Sequence, residues 1–129
     1  LFMVDVDNFK GLNDRMGHQT GDEFLVALAA EIKKCFRESD VVGRVGGDEF
    51  FALMRNVTEI SHVQHKAREL LETGNKVCSK YEEVSCSVSI GISLFPENGK
   101  TLEDLYGAAD MALYQAKRKG KKQFVFASL

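Results

Sequence analysis

The stretch Val41-Val42-Gly43-Arg44-Val45-Gly46-Gly47-Asp48-Glu49-Phe50-Phe51-Ala52-Leu53-Met54 reads as two strands folded back on one another. Val41 to Val45 is rich in β-branched residues, and Phe50 to Met54 is apolar throughout. Gly46-Gly47 between them suits a two-residue type I′ turn, which needs positive φ. A lone hairpin is barely stable, so other strands must cover it. The clearest is Val84 to Leu94. There Val84, Cys86, Val88, Ile90, Ile92 and Leu94 alternate with Ser85, Ser87, Ser89, Gly91 and Ser93, giving one core face and one small face. Leu1 to Val4 reads as a buried strand that stops at Asp5, and Phe124 to Phe126 as a short final strand.

Helical periodicity fills the intervals. Asn8 to Met16 is polar with helical potential and leads to a turn at Gly17-His18. Thr20 with Glu23 has the form of a capping box, followed by the stripe Phe24, Leu25, Leu28, Ala29, Ile32 and Phe36. A third helix is expected from Thr58, with Ile60, Val63, Ala67, Leu70 and Leu71 on one face and Gly74 as its end. Thr101 and Asp104 cap a last helix carrying Leu105, Ala109, Ala112, Leu113 and Ala116, which Gly120 ends. The order β-α-α-β-β-α-β-α-β predicts an α+β fold, a mostly antiparallel sheet with helices packed on it.

Length and composition fit one domain: 129 residues, 44% hydrophobic and 28% charged, with no repeat or linker. The net charge of −2 gives no global reason to bind nucleic acid or an anionic membrane. No uninterrupted apolar run, Leu1 to Val4 and the seven residues Phe24 to Ala30 included, is long enough to span a bilayer, and no signal peptide is visible. Cys35, Cys78 and Cys86 form no C-x-x-C or zinc spacing and are expected to be reduced, partly buried thiols of a cytoplasmic protein.

Acidic residues gather at strand ends. Asp5 and Asp7 follow the first strand, and Asp48 and Glu49 follow the hairpin turn. If those strands are neighbours, the carboxylates converge. Two like charges about 4 Å apart repel by roughly 4 kcal/mol at an effective dielectric near 20, which a divalent cation or protonation relieves. All-oxygen ligands favour Mg²⁺ over zinc. The competing reading is turn acids facing water. Gly46-Gly47 is either a plain turn or bare backbone that a phosphate or base can approach. Lys117, Arg118, Lys119, Lys121 and Lys122 either complement a helix dipole or supply cations for a triphosphate. Asn13 and Asp22 suit a guanine edge but are equally ordinary in a loop and a helix start. His18 reads as packed or capping, His62 and His65 as exposed, and Tyr114 as helix packing.

Gly46-Gly47-Asp48-Glu49-Phe50 spells GGDEF, and the chain resembles the GGDEF domain family, the diguanylate cyclases of bacterial second-messenger signalling. Further blocks carry the resemblance across nearly the whole chain: Asp5-Val6-Asp7-Asn8-Phe9-Lys10 with Asn13-Asp14, Gly17-His18 with Gly21-Asp22, Val88-Ser89-Ile90-Gly91, and Asp110-Met111-Ala112-Leu113-Tyr114 with Ala116-Lys117. The resemblance implies a five-stranded, mostly antiparallel sheet wrapped by helices, similar to adenylate cyclase catalytic domains and polymerase palms. It makes residues 1–129 one GGDEF domain, without the family's usual upstream helix bearing D-x-L-T-G-L-x-N-R.

The implied reaction condenses two GTP into cyclic di-GMP and two pyrophosphates, in a homodimer whose subunits each hold one GTP. Two Mg²⁺ or Mn²⁺ ions per site polarise the phosphates and lower the pKa of the attacking 3′-hydroxyl. By the resemblance, Asp5, Asp48 and the Val6 carbonyl are metal ligands, and Glu49 assists the metal or takes the hydroxyl proton. Asn13 and Asp22 read guanine, and Gly47 passes close to the nucleotide. Phe9, Lys10 and Lys117 serve the phosphate pocket, and Lys121 supplies a phosphate charge where the family usually has Arg-Asn. Arg37-Glu38-Ser39-Asp40 resembles the R-x-x-D site through which cyclic di-GMP inhibits the enzyme, with Arg68 a candidate second arginine. The alternative from another class is a GTP- or cyclic di-GMP-binding module that no longer turns over; the intact pentapeptide favours the enzyme. Membrane anchoring, if any, belongs to other parts of a longer protein.

Overall fold

The computed structural model describes residues 1–128. Its order is β1 (Phe2–Asp7), α1 (Phe9–Met16), α2 (His18–Lys34), β2 (Val41–Gly46), β3 (Glu49–Leu53), α3 (Ile60–Cys78), β4 (Ser87–Ile92), α4 (Leu102–Arg118) and β5 (Phe124–Phe126). The five strands form one sheet in the order β2-β3-β1-β4-β5. β1 is central and antiparallel to both β3 and β4, and only the β4–β5 pairing is parallel. The expected α+β architecture and element order are therefore present.

Period-two alternation assigns the two faces. Phe2, Val4 and Val6 of β1 join Val88, Ile90 and Ile92 of β4 in a core shared with Phe24, Leu28 and Ile32 of α2 and Val63, Ala67 and Leu70 of α3. Met3 faces the other way, against Leu105, Ala109 and Leu113 of α4. The small face of β4 is what lets α4 approach: a Cβ at Gly91 would run into the backbone of Ala109 and Leu113. Asp5, Asp7, Ser87, Ser89 and Glu49 have the same parity as Met3, Gly91 and Phe51, so all of them turn toward α4.

Several boundaries differ from the sequence expectation. The hairpin turn is Gly47-Asp48, because Gly46 pairs with Glu49 after a bulge beyond Arg44. Gly47 takes φ 23, and the Arg44 Nε donates to its carbonyl at 2.8 Å, which braces the turn. Thr20 lies inside α2 and does not cap it; the helix begins at His18 directly after Gly17, whose φ of 92 makes the break from α1. α3 starts at Ile60, not Thr58, and runs past Gly74 to Cys78. Gly74 is buried against Val88, so it marks a close helix–strand contact and not a helix end. The Thr101 hydroxyl does accept from the Asp104 N–H at 3.1 Å, the expected cap. Among the described residues, no helix is long and apolar enough to cross a membrane.

Candidate active site

Register brings the acids together. Asp5 pairs with Glu49 across β1 and β3, and the Val6 N–H donates to the Asp48 carbonyl at 3.2 Å. The end of β1 and the hairpin turn are thus one structural unit. Lys117, in the last turn of α4, reaches down between the carboxylates, 3.2 Å from Asp5 Oδ2 and 2.8 Å from Asp7 Oδ1.

Asp5 and Asp7 sit two residues apart on one face and have opposite chemistry. Asp7 is 2% exposed. It accepts from Ser87 Oγ at 2.6 Å, Ser89 Oγ at 2.8 Å and the Lys122 N–H at 3.2 Å, besides Lys117. Burial opposes its ionisation, but these donors together hold it below the ordinary carboxylate range. Asp5 Oδ1 is buried with no hydrogen-bond partner. Burial pushes the Asp5 carboxyl up to about 6; Lys117 pulls against that rise, and like-charge repulsion from Asp48 and Glu49 works with it. Lys117 itself is raised above its ordinary value: burial works against its charge, and the two aspartates outweigh it. Glu49 is also raised, by burial first and then by Asp110 and Asp48, while Tyr106 and Lys117 pull it down.

The donor set fits a hard divalent cation that arrives with a phosphate ligand. Among the described residues, no group of three or more His, Cys, Asp or Glu forms a ready-made metal cage. Mg²⁺ usually takes only one or two carboxylates and completes its shell with water and phosphate oxygens. Asp5, with an unpartnered buried oxygen, and Asp48 at the adjoining turn offer that number.

A second cradle lies between α1 and α2. Asn13 is pressed against Gly21, where any Cβ would collide with its amide, and Asn13 Oδ1 is buried without a partner. Asp22, exposed, is the next residue. The structure therefore brings together the two residues expected to read guanine and leaves one of them with an unused acceptor. Phe9 packs 6.2 Å from Phe24 at the root of this cradle, and Lys10 is exposed beside it. Lys121 is exposed in the segment after α4.

The Arg37–Asp40 segment is at the far end of α2. Asp40 accepts from the Arg37 N–H at 2.9 Å, from Arg37 Nη2 at 3.2 Å and from the Arg55 N–H at 2.9 Å, and its side chain is 1% exposed. Arg37 Nη2 also donates to the Arg55 carbonyl at 2.5 Å. Arg68 is exposed on α3. Lys66 of α3 reaches this end of α2, hydrogen bonded to the Cys35 carbonyl and 5.4 Å above the Phe36 ring.

Sequence reasoning overlooked Asp110 and Tyr106 beside Glu49, and Ser87, Ser89 and the Lys122 N–H around Asp7. Helical spacing could have found the first two. Asp110 is seven residues before Lys117 and Tyr106 four before Asp110, so one face of α4 carries all three. Tyr114 is exposed and lies under the Arg118 guanidinium at 5.9 Å, so it is not core packing as expected. A cleft of about 440 Å³ lies at the opposite end of β1, walled by Leu1, Leu53, Val63, Phe95 and Leu105; none of the expected site residues lines it.

The family model "Diguanylate cyclase, GGDEF domain" matches residues 1–123. The chain belongs to the GGDEF family. It is 39% identical over 123 residues to the diguanylate cyclase TpbB of Pseudomonas aeruginosa, an alignment covering 94% of this chain and 28% of TpbB. The chain thus corresponds to little more than a quarter of that longer protein. The crystal structure of the TpbB GGDEF domain superposes with a TM-score of 0.87 at 36% identity, covering 99% of this chain and 81% of that one. The GGDEF domain of DgcB from Caulobacter crescentus, solved in complex with c-di-GMP, superposes with a TM-score of 0.76 at 30% identity over 97% of this chain and 75% of that one. The enzyme class these relatives support is diguanylate cyclase.

Proposed function

We propose that this domain condenses two GTP molecules into cyclic di-GMP and two pyrophosphates, each of two facing subunits contributing one bound GTP. The observation that carries the reading is the buried, unpartnered Oδ1 of Asp5, whose other oxygen meets Lys117, at the strand end that the Gly47-Asp48 turn adjoins. An acid whose surroundings oppose its charge, with one oxygen free, is stabilised by a cation placed beside it.

Asn13 and Asp22 bind the guanine edge, the Asn13 Oδ1 accepting an N–H and Asp22 accepting from N1–H and the 2-amino group. Adenine lacks that donor pair, and each buried polar group left unpaired costs about 1–3 kcal/mol. Gly47 and Phe9 admit the nucleotide, and Lys10, Lys117 and Lys121 meet its phosphates. Lys117 exchanges an aspartate partner for a phosphate oxygen. Two Mg²⁺ or Mn²⁺ ions, held by Asp5, Asp48 and the Val6 carbonyl, would supply Lewis-acid stabilisation of the phosphate charge. Glu49, kept above its ordinary pKa, accepts the proton of the attacking 3′-hydroxyl.

Product inhibition is assigned to Arg37 and Asp40, with Arg68 as a second cation. Since Asp40 is already engaged, bound cyclic di-GMP must take up the Arg37 guanidinium in exchange for its present contacts. Arg37→Ala then relieves inhibition and leaves initial turnover intact. The deciding experiment incubates the domain with GTP and Mg²⁺ and resolves products by chromatography across protein concentrations. Cyclic di-GMP formation whose rate per chain rises with concentration supports the reading. Equal use of ATP, or activity unchanged in Asp48→Ala, would sink it.

A further inference from the structure

Cys78 and Cys86 are eight residues apart in the sequence, and the fold brings the segments that carry them together. Asn75 in the last turn of α3 accepts from the Val88 N–H at 3.0 Å, and Gly74 packs on Val88, so α3 ends against the start of β4. Three tight turns then close the connection: Tyr81 N–H to the Cys78 carbonyl at 3.0 Å, Val84 N–H to the Tyr81 carbonyl at 3.0 Å, and Cys86 N–H to the Val84 carbonyl at 2.9 Å. Both cysteines join the same apolar cluster, Cys78 at 3% exposure and Cys86 half-buried at its edge. Gly74 and Cys78, four residues apart, share one face of α3, and Val88 and Cys86, two apart, share one face at the start of β4, so the Gly74–Val88 contact sets Cys78 beside Cys86. In keeping with that, each thiol shifts the other, Cys86 downward and Cys78 upward. One is thus reachable and acidified, and the other is sheltered beside it.

We propose that Cys78 and Cys86 are a peroxide-oxidisable dithiol that closes an intramolecular disulfide between the end of α3 and the start of β4. The Cys86 thiolate attacks one oxygen of hydrogen peroxide, the O–O bond breaks, and hydroxide leaves as Cys86 becomes a sulfenic acid. The Cys78 sulfur then attacks the Cys86 sulfur, the S–O bond breaks, and the oxygen departs as water with the Cys78 proton. Two thiols and one peroxide give one disulfide and two waters; sulfur is oxidised and the peroxide oxygens are reduced. A low-molecular-weight thiol reverses the bond by exchange. Ser87, the residue after Cys86, donates to Asp7 at 2.6 Å, so the bridge forms one peptide unit from the Asp7–Lys117 pair. Cys35 stands apart, bonded to the Glu31 carbonyl and Thr73 hydroxyl at 3.5 Å each, and serves as an internal reference.

The test treats the reduced protein with hydrogen peroxide, then denatures it, alkylates free thiols and maps peptides by mass spectrometry. The expected result is loss of two of the three alkylatable thiols, a Cys78–Cys86 cross-linked peptide, an unmodified Cys35, and full recovery after dithiothreitol. Cys86 advancing to sulfinic acid while Cys78 remains alkylatable would overturn the proposal, as would all three thiols surviving. In Cys78→Ser, which lacks the resolving thiol, dimedone should trap a Cys86 sulfenic acid that the parent does not accumulate; equal dimedone labelling of both also overturns it. None of these readouts depends on nucleotide turnover.

Discussion

Two acid–base clusters sit at opposite ends of the first half of the chain, and they differ in how completely they are satisfied. At the Arg37–Asp40 elbow, each Asp40 oxygen accepts at least one bond and the carboxyl is held below its usual range, the Arg37 and Arg55 donors outweighing the effect of burial. At the end of β1, Asp7 is likewise saturated, but Asp5 beside it keeps a buried oxygen unpartnered and a carboxyl that resists ionisation. A fold gains nothing from leaving a buried acceptor unpaired. The difference separates residues that hold the backbone from a residue held ready for something else. By that criterion Asp40 in this conformation is structural, and only ligand binding that reopens its contacts can make it a recognition group.

The largest effect should come from Asp7→Ala. It removes the acceptor of Ser87, Ser89 and the Lys122 N–H and leaves Lys117 with Asp5 alone. Breaking such a buried network costs about 3–5 kcal/mol, read as a lower denaturation midpoint in urea. A loss no greater than that of Asp40→Ala would mean that Lys117 and the serines find other partners. Asp40→Ala comes next, at about 2 kcal/mol, because two backbone N–H groups and a guanidinium lose their acceptor. Acid should mimic both. Their carboxyls are held below the ordinary value, so they add stability above it that is lost as pH falls through the folded pKa.

Much of this contrast was visible in the sequence. Alternation in Val84 to Leu94 and the glycine turn announced the strands, and the acids at their ends converge on the condition, met by the β1–β3 register, that the first strand and the hairpin are neighbours. The family resemblance alone singled out Lys117 for the phosphates. What escaped were contacts that depend on which residues share a face across strands. Ser87 and Ser89 look like filler on a small face until the β1–β4 register sets them over Asp7. Boundaries failed where tertiary packing overrode a local signal: Gly74 reads as a stop but is the place where α3 touches Val88, and Thr20 reads as a cap but α2 already starts at His18. The Asp40 contacts with Arg55 span the hairpin, and no local pattern announces them.

Asp5→Asn should sharpen the comparison in the opposite direction. The Asp5 carboxyl rises from 3.8 to about 6 on folding, so its proton is bound more tightly in the folded state. Its contribution is intact below the unfolded pKa and is lost as pH rises through about 6. Asparagine mimics the neutral acid without the titration. The variant should therefore be more stable than the parent by about 1–2 kcal/mol at pH 7.5, with the gap closing between about pH 6 and pH 4. Turnover should be abolished. A destabilised Asp5→Asn at neutral pH would show that its bond to Lys117 outweighs the burial of its charge.

The smallest effect tests whether the strained segment after α4 belongs to the same saturated network. Lys121 and Lys122 both have positive φ, 64 and 53, which non-glycine residues other than Asn and Asp seldom adopt. What holds Lys122 there is its N–H, shared between Asp7 Oδ2 and Ser89 Oγ at 3.2 Å each. Its side chain is exposed and contributes nothing to that bond. Lys122→Asn keeps the N–H and replaces a residue poorly suited to the left-handed region with one that tolerates it. The gain should be about 0.5–1 kcal/mol, within the cost of one strained residue. In the Asp7→Ala background the N–H has lost one of its two acceptors, the segment is freer to relax, and the same substitution should yield less. Equal gains in both backgrounds, measured as a double-mutant cycle in urea, would show that the strain is imposed by the turn at Gly120 and not by Asp7.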